Sequence, residues 1–332
     1  MYEMIRNLIF VIVASAFISC SNDCVKIIRE AETTDTMSLK PIKLSKELFM
    51  PTRLIATSGK LIVYQRKGDD MLIEIDCSTS YQQRIIAKKG RASNEFVNID
   101  VQSFKPTKGG FICMDAGGKV KNVSIDNSIT INSEQIPTWG NPQNGIIVNS
   151  SFISANVVND NSEYICYNKS LDSPDYFSKY PNWTECSEIP LAFLYMKNMV
   201  SHPTEDKFAA FYVNFRKVRI LNLMGDLLYD VDVQVPDVFP PYSQFSEHRV
   251  LAYASYPCAT NQFIYSLCLN RNINPAINNN PEIHIWDWYG NLKKRITLDK
   301  HIDIFTVSED DNTLYGMNVN YPDILYYQHL RK

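Results

Sequence analysis

The chain has 332 residues, of which 45% are hydrophobic and 21% charged, with a formal net charge of -3. That balance fits a globular protein with a sizeable core and excludes a wholly disordered chain. A small negative charge supplies no basic face, so no nucleic-acid partner is expected. An aromatic content of 12%, with 19 Tyr and 16 Phe against 12 Gly, favours pleated sheet over helix.

Residues 1–19 read as an export signal: Arg6 gives the positive start, and Leu8 to Phe17 form an apolar stretch too short to span a bilayer. Phe17-Ile18-Ser19-Cys20 resembles a bacterial lipobox, whose cysteine is acylated. The resemblance implies palmitate-type chains on Cys20, anchorage to a membrane without a spanning helix, and a periplasmic or cell-surface address, at the outer membrane rather than the inner. Residues 20–37 then read as a lipidated flexible tether and 38–332 as one domain. Seven further cysteines follow, with no C-x-x-C pair and no zinc-type spacing, which argues for small buried hydrophobes rather than a disulfide scaffold. Cys258 and Cys268 flank one hairpin at unequal offsets, which disfavours their pairing.

Along the chain, LKPIKL (Leu39 to Leu44) is an isolated strand-like segment. Three weak strand groups follow: LIVYQ, MLIEID and QRIIAK between Leu61 and Lys88; FICMD, KVKNVSID and SITINS between Phe111 and Ser133; SFISANVV, EYICYN and DYFSKY between Ser151 and Tyr180. Beyond these, HPTEDKFAAFYV (His202 to Val213), PCATNQFIYSLC (Pro257 to Cys268) and SEDDNTLYGMNV (Ser308 to Val319) each run from a polar turn into an apolar strand. VRILNLMGDLLYDVDV (Val218 to Val233) and IHIWDWYGNLKKRITL (Ile283 to Leu298) match without a gap, with Asn222 on Asp287, Gly225 on Gly290 and Asp226 on Asn291. Each copy is an alternating strand, a glycine turn and a second alternating strand, which is a β-hairpin pattern.

One unit is therefore two hairpins, recurring every roughly 40 to 57 residues, the period of four-stranded propeller blades. The fold class expected is all-β: a six-bladed β-propeller, its last blade of three strands (Ile302 to Leu330) closed by the N-terminal strand Leu39 to Leu44. No apolar stripe of helical period runs at helix length outside the signal, which disfavours parallel α/β folds. Trp286-Asp287 sits where WD40 blades carry that dipeptide, but the chain has no Gly-His and the matched blade has Leu221-Asn222.

On these residues the chain resembles the TolB-like six-bladed β-propeller lipoproteins of bacterial envelopes. WDWYGNLKKRITL resembles the family's Phe-Asp-Trp-x-Gly-Asn hairpin, FIYSLC its Ile-Tyr-x-Leu-Tyr strand, and KKGRASNEF (Lys88 to Phe96) its basic, Gly-rich element. In that element the family's Gly-Pro is Ala92-Ser93 here. The resemblance implies fold and location; the family carries no settled activity.

No H-E-x-x-H, G-x-S-x-G or P-loop motif occurs, so no catalytic residue is assigned. His284 reads as a packed structural histidine, and Trp286 and Trp288 as packing between blades. Loop length is more informative. Turns within the first and third hairpin connections are short, whereas Glu134 to Gly145, Pro181 to Pro190, Gln234 to Arg249 and Asn270 to Glu282 are long and emerge together on the opposite face. Long loops on a rigid scaffold are where binding residues concentrate. The candidate binding residues are Trp139, Trp183, Phe239, Tyr242 and Phe245, joined by Arg91 and Glu95 of the basic element. They point to a non-enzymatic binding propeller for a glycan, a peptide or an envelope protein. The alternative is a hydrolase or lactonase-like enzyme holding a divalent cation at the channel mouth.

Overall fold

In the computed structural model, which describes residues 25–126, 128–136, 144–168, 170, 173–184, 189–235, 250–268, 271–272 and 280–330, the alternating segments pair as six blade sheets, beside a separate two-stranded ribbon of Val250–Leu251 and Arg271–Asn272. Blade 1 comprises Pro51–Thr57, Lys60–Gln65, Asp70–Asp76 and Gln82–Lys88; blade 2, Lys105–Thr107, Gly110–Asp115, Lys119–Ser124 and Thr130–Gln135. Blade 3 comprises Gly145–Val148, Ser151–Ala155, Tyr164–Asn168 and Asp175–Phe177; blade 4, Lys197–Ser201, Lys207–Tyr212, Lys217–Asn222 and Leu227–Val233. Blade 5 comprises Cys258–Ala259, Phe263–Cys268, Glu282–Asp287 and Leu292–Leu298, and blade 6 Ile304–Val307, Thr313–Met317, Ile324–His329 and Lys40–Lys43. The first strands of the blades lie side by side around a central channel.

A lone blade exposes two apolar faces, so blades must stack to bury them. Six apolar clusters result, each between neighbouring blades: blades 1 and 2 close over Phe96, Phe111 and Val123, and blades 4 and 5 over Phe211, Trp286 and Trp288. The ring is closed as expected. Lys40–Lys43 pairs antiparallel with Ile324–His329, Leu325 opposite Ile42, and Leu44 joins Leu54, Leu61 and Ile304 between blades 6 and 1.

Residues 25–37, expected as a tether, are instead part of the sheets. Lys26–Ile28 pairs parallel with Leu227–Val233 as a fifth strand of blade 4, and Thr33–Met37 pairs parallel with Leu292–Leu298 as a fifth strand of blade 5. The physical reason is edge satisfaction: an outermost strand offers a row of unpaired backbone groups, and this arm covers two of them before closing the ring. Met37 is buried, and Asp35 pairs with Lys294 at 3.2 Å. Segments this short and polar carry no periodicity, which is why they read as linker.

The gapless repeat is one structural device used twice. Asn222 Oδ1 accepts from the amides of Met224 and Asp226, and Asp287 Oδ1 from those of Tyr289 and Asn291, so each side chain caps its turn. Both hairpins carry a bulge at the same place, opposite Ile220/Leu221 and Ile285/Trp286. Gly290 has φ +72, and a Cβ there would stand 2.8 Å from Val231 Cγ2 of the neighbouring blade. Gly290→Ala is expected to lower stability by more than about 1 kcal/mol, since both conformation and space are lost. An unchanged urea midpoint would refute this.

His284, Trp286 and Trp288 are buried. Tyr253 and Glu282 bond His284, and the indoles donate to Ser266 Oγ and Thr260 O, both at 3.1 Å. The IWDWYGN stretch is thus inter-blade packing. Cys258 and Cys268 are both free thiols, as are Cys77, Cys113 and Cys166.

Candidate functional site in the central channel

Closing six first strands into a ring leaves a cavity of about 550 Å³ along the axis, lined by residues of all six blades. Its walls are apolar, with Ile55, Phe104, Ile146, Val200 and Val307 among them. It opens between the short turns that follow the first strands, where Ser58, Lys108, Thr204, Asn261 and Glu309 form the rim. Hydrogen bonds tie these turns together: Ser58 N donates to Glu309 Oε2 at 2.8 Å, Gly109 N to Ser58 Oγ at 3.0 Å, and Thr204 Oγ1 to Asn261 Oδ1 at 3.3 Å. A volume of this size, apolar with a few polar groups, suits a small molecule.

The floor is Arg53, in the first strand of blade 1, where it carries the strand's one charge and is only 5% exposed. A register shift between Pro51 and Arg53 marks a bulge at that point, the kind of irregularity that re-aims a side chain. Its Nη2 donates to Pro257 O of blade 5 at 3.0 Å, and its guanidinium carbon lies 5.4 Å from the Tyr256 ring centroid. Its Nε–H is buried with no acceptor. Burial lowers the Arg53 pKa, opposed by Cys258 and Tyr256, but guanidinium stays charged at neutral pH. Burial in turn raises the Tyr256 phenol and pushes the Cys258 thiol up to about 12, so both neighbours are neutral. Lys105 also lines the cavity, where burial lowers its pKa against the charge of Asp206. Among the described residues, the charged lining groups are Arg53, Lys105 and Lys108 against the single carboxylate of Glu309.

Tyr256, beside Arg53, lines a smaller recess of about 170 Å³ on the long-loop face. Asp100 and Asp115 reach that recess but are committed to the fold. Asp115 accepts from the amides of Val97 and Asn98 and pairs with Lys121, and Asp100 accepts from those of Gln102 and Gly145. Burial pushes the Asp100 carboxyl up to about 6 against those donors. Among the described residues no group of three or more His, Cys, Asp or Glu is arranged to hold a metal ion.

Of the residues expected to bind, Trp139, Phe239, Tyr242 and Phe245 lie outside the described residues, as does Cys20, the residue expected to be acylated. Trp183 is half-buried, edge-on to Tyr195, Tyr212 and Phe215, with Lys217 over its ring at 5.1 Å. It caps the packing between blades 3 and 4. Glu95 is spent on its own loop: its carboxylate accepts from Ala92 N at 2.9 Å, while Phe96 N donates to Lys88 O and Gly90 N to Phe96 O. The loop is therefore tightly closed with Ala92-Ser93 in place, and Arg91 stands exposed on it. None of Arg91, Glu95 and Trp183 lines the channel. Arg53 and Lys105 were not singled out from sequence, although an arginine within PTRLIAT was the available signal.

No family model matches the chain, and no curated protein sequence matches it. Among solved structures, a member of the DUF4221 family from Bacteroides vulgatus superposes with a TM-score of 0.54 at 7% identity, over 89% of this chain and 97% of that one. A streptogramin B lyase aligns at TM-score 0.48 and 10% identity over 88% of this chain and 97% of its own. A gluconolactonase from Xanthomonas campestris aligns at 0.49 and 6% over 88% and 90%. Together with the strand order, the DUF4221 likeness shows the fold alone: this chain is a six-bladed β-propeller.

Proposed function

We propose that this protein is a lipid-anchored binding propeller of the bacterial envelope that takes its ligand in the central channel, entered from the short-turn face. The observation that carries this reading is the 550 Å³ cavity, walled by apolar side chains from six blades and edged by polar turn residues. This reading takes the face opposite the long-loop face expected from loop length as the binding face. A rigid ring that needs no closure to form its pocket loses little conformational entropy on binding. The rival, a hydrolase-like centre with a divalent cation, calls for converging carboxylates. The charge lining this cavity has the opposite sign, and that favours binding over the cation centre.

The envelope address rests on the lipobox-like Phe17–Cys20 and on the TolB-like motifs. Val25 follows Cys20 by five residues, at most about 18 Å of extended chain. An acylated Cys20 would hold the outer edge of blade 4 close to the membrane surface, because the arm from Lys26 onward is pinned to that blade.

Thermal-shift screening of glycans, peptides and small organic molecules tests the channel. A true ligand at about 100 times its Kd adds roughly 2.7 kcal/mol of stability. Thr107→Trp, which places an indole in the cavity, is expected to abolish that shift. A ligand whose stabilisation survives Thr107→Trp unchanged would put the site elsewhere.

A further inference from the structure

Arg53 poses a problem that the fold does not solve internally. A guanidinium taken out of water costs several kcal/mol unless a carboxylate or a full set of acceptors meets it. Among the described residues, the other lysines and arginines that are buried as fully each meet a carboxylate, although Arg219 Nε and, on the half-buried Arg216, Nη2 also lack a hydrogen-bond acceptor. Lys197 pairs with Glu163 at 2.6 Å, Arg219 with the same carboxylate at 2.9 Å, and Lys121 with Asp115 at 3.5 Å. Arg53 has one carbonyl, one aromatic face and an Nε–H with no acceptor. No carboxylate of the described residues pairs with it, and its titratable neighbours are a neutral thiol and a neutral phenol. It also lines the cavity, at the end remote from the rim, with Lys105 and Lys108 nearer the mouth.

We propose that the central channel binds a small organic acid, its carboxylate seated on Arg53 at the floor and its apolar body against the channel walls. This deepens the channel-binding reading above and rests on it. The geometry supplies each requirement of such a ligand. A planar guanidinium matches a carboxylate and holds it by charge-assisted hydrogen bonds, strengthened where water is excluded. Ile55, Ile146, Val200 and Val307 offer apolar surface above it. Lys105 and Lys108 bias the mouth toward anions and raise the rate at which they enter. The same arrangement disfavours neutral sugars, which have no charge to offer Arg53 and too many hydroxyls for these walls.

The test is calorimetric titration of the purified protein at pH 7.5 with octanoate and with octanamide, which has the same tail without the charge. Octanoate is expected to bind, and octanamide roughly tenfold to a hundredfold more weakly, the range for one hydrogen-bonded charge. Arg53→Met should erase that preference by weakening octanoate to the level of the amide, while Arg53→Lys retains part of it. Because the substitution removes an uncompensated buried cation, the Arg53→Met melting point should be unchanged or higher. A purely structural Arg53 predicts the reverse: a lower melting point, and no difference between acid and amide in the native protein. Binding of neither probe, or equal binding of both, overturns the organic-acid proposal. The channel itself would still stand if an uncharged ligand from the thermal-shift screen stabilises the native protein and loses that effect in Thr107→Trp.

Discussion

Replacing Leu39–Leu44 by a Gly/Ser linker of equal length is expected to destabilise the protein by more than about 5 kcal/mol, enough to make it aggregate on expression or melt at much lower temperature. Two fully packed leucines are lost, Leu39 at 3% and Leu44 at 4% exposure. Leucine-to-alanine changes in cores cost about 2–5 kcal/mol each, and here the backbone ladder goes as well. Lys40–Lys43 would no longer pair with Ile324–His329, leaving the third strand of blade 6 as an open edge. Blade 6 would also lose its hold on blade 1, where Leu44 and Leu48 pack against Leu54 and Leu61. Circular dichroism melts and size-exclusion chromatography read both effects. A linker variant that stays monomeric with unaltered melting would refute closure of the ring by this strand.

The second large effect is expected at Glu163, which is wholly buried between blades 3 and 4. One carboxylate serves three groups: Lys197 on Oε1, Arg219 on Oε2 at 2.9 Å, and the Tyr212 hydroxyl on Oε1. Lys197 is further enclosed by the faces of Tyr164, Tyr180 and Tyr212 at 4.8, 5.3 and 5.3 Å. Burial lowers the Lys197 pKa, and Glu163 is what opposes that shift and keeps the ammonium charged. Glu163→Gln removes the charge but not the volume, stranding a buried ammonium beside a buried guanidinium. Breaking a buried pair in this way costs about 3–5 kcal/mol, a melting point lower by roughly 10 °C. Adding Lys197→Met removes the stranded cation and should recover part of the loss. A single variant as stable as the native protein would show that the cluster is solvated and contributes little.

The two predictions illustrate how differently parts of this molecule can be read from its residues. Ring closure by Leu39–Leu44 was legible because blade counting left one unit a strand short and one strand without a unit. The paired hairpins at 218–233 and 283–298 were legible for a local reason: side chain, glycine and bulge all act within a few residues of each other. The strands Lys26–Ile28 and Thr33–Met37 were not legible, because a short polar segment becomes a strand only when a distant edge, here residues 227–233 and 292–298, is brought beside it. The Glu163 cluster draws on residues 34 and 56 positions away along the chain, and no spacing rule links them.

The site shows the same division more sharply. Long loops rich in aromatic residues directed attention to one face, and among their described members Trp183 is consumed in packing against Tyr195, Tyr212 and Phe215. The cavity opens on the other face and is assembled from a few residues of each of six first strands and the turns that follow, several of the strands only a few residues long. The sequence by itself determined the all-β class, the number of blades, the hairpin register and the expectation of export, because these depend on local alternation, turn chemistry and repeat period. Only the tertiary structure decided where an interior space opens and which charge stands inside it without a carboxylate partner. Both depend on bringing residues as distant as Arg53 and Pro257 to within 3.0 Å, which ring closure does and local sequence does not encode.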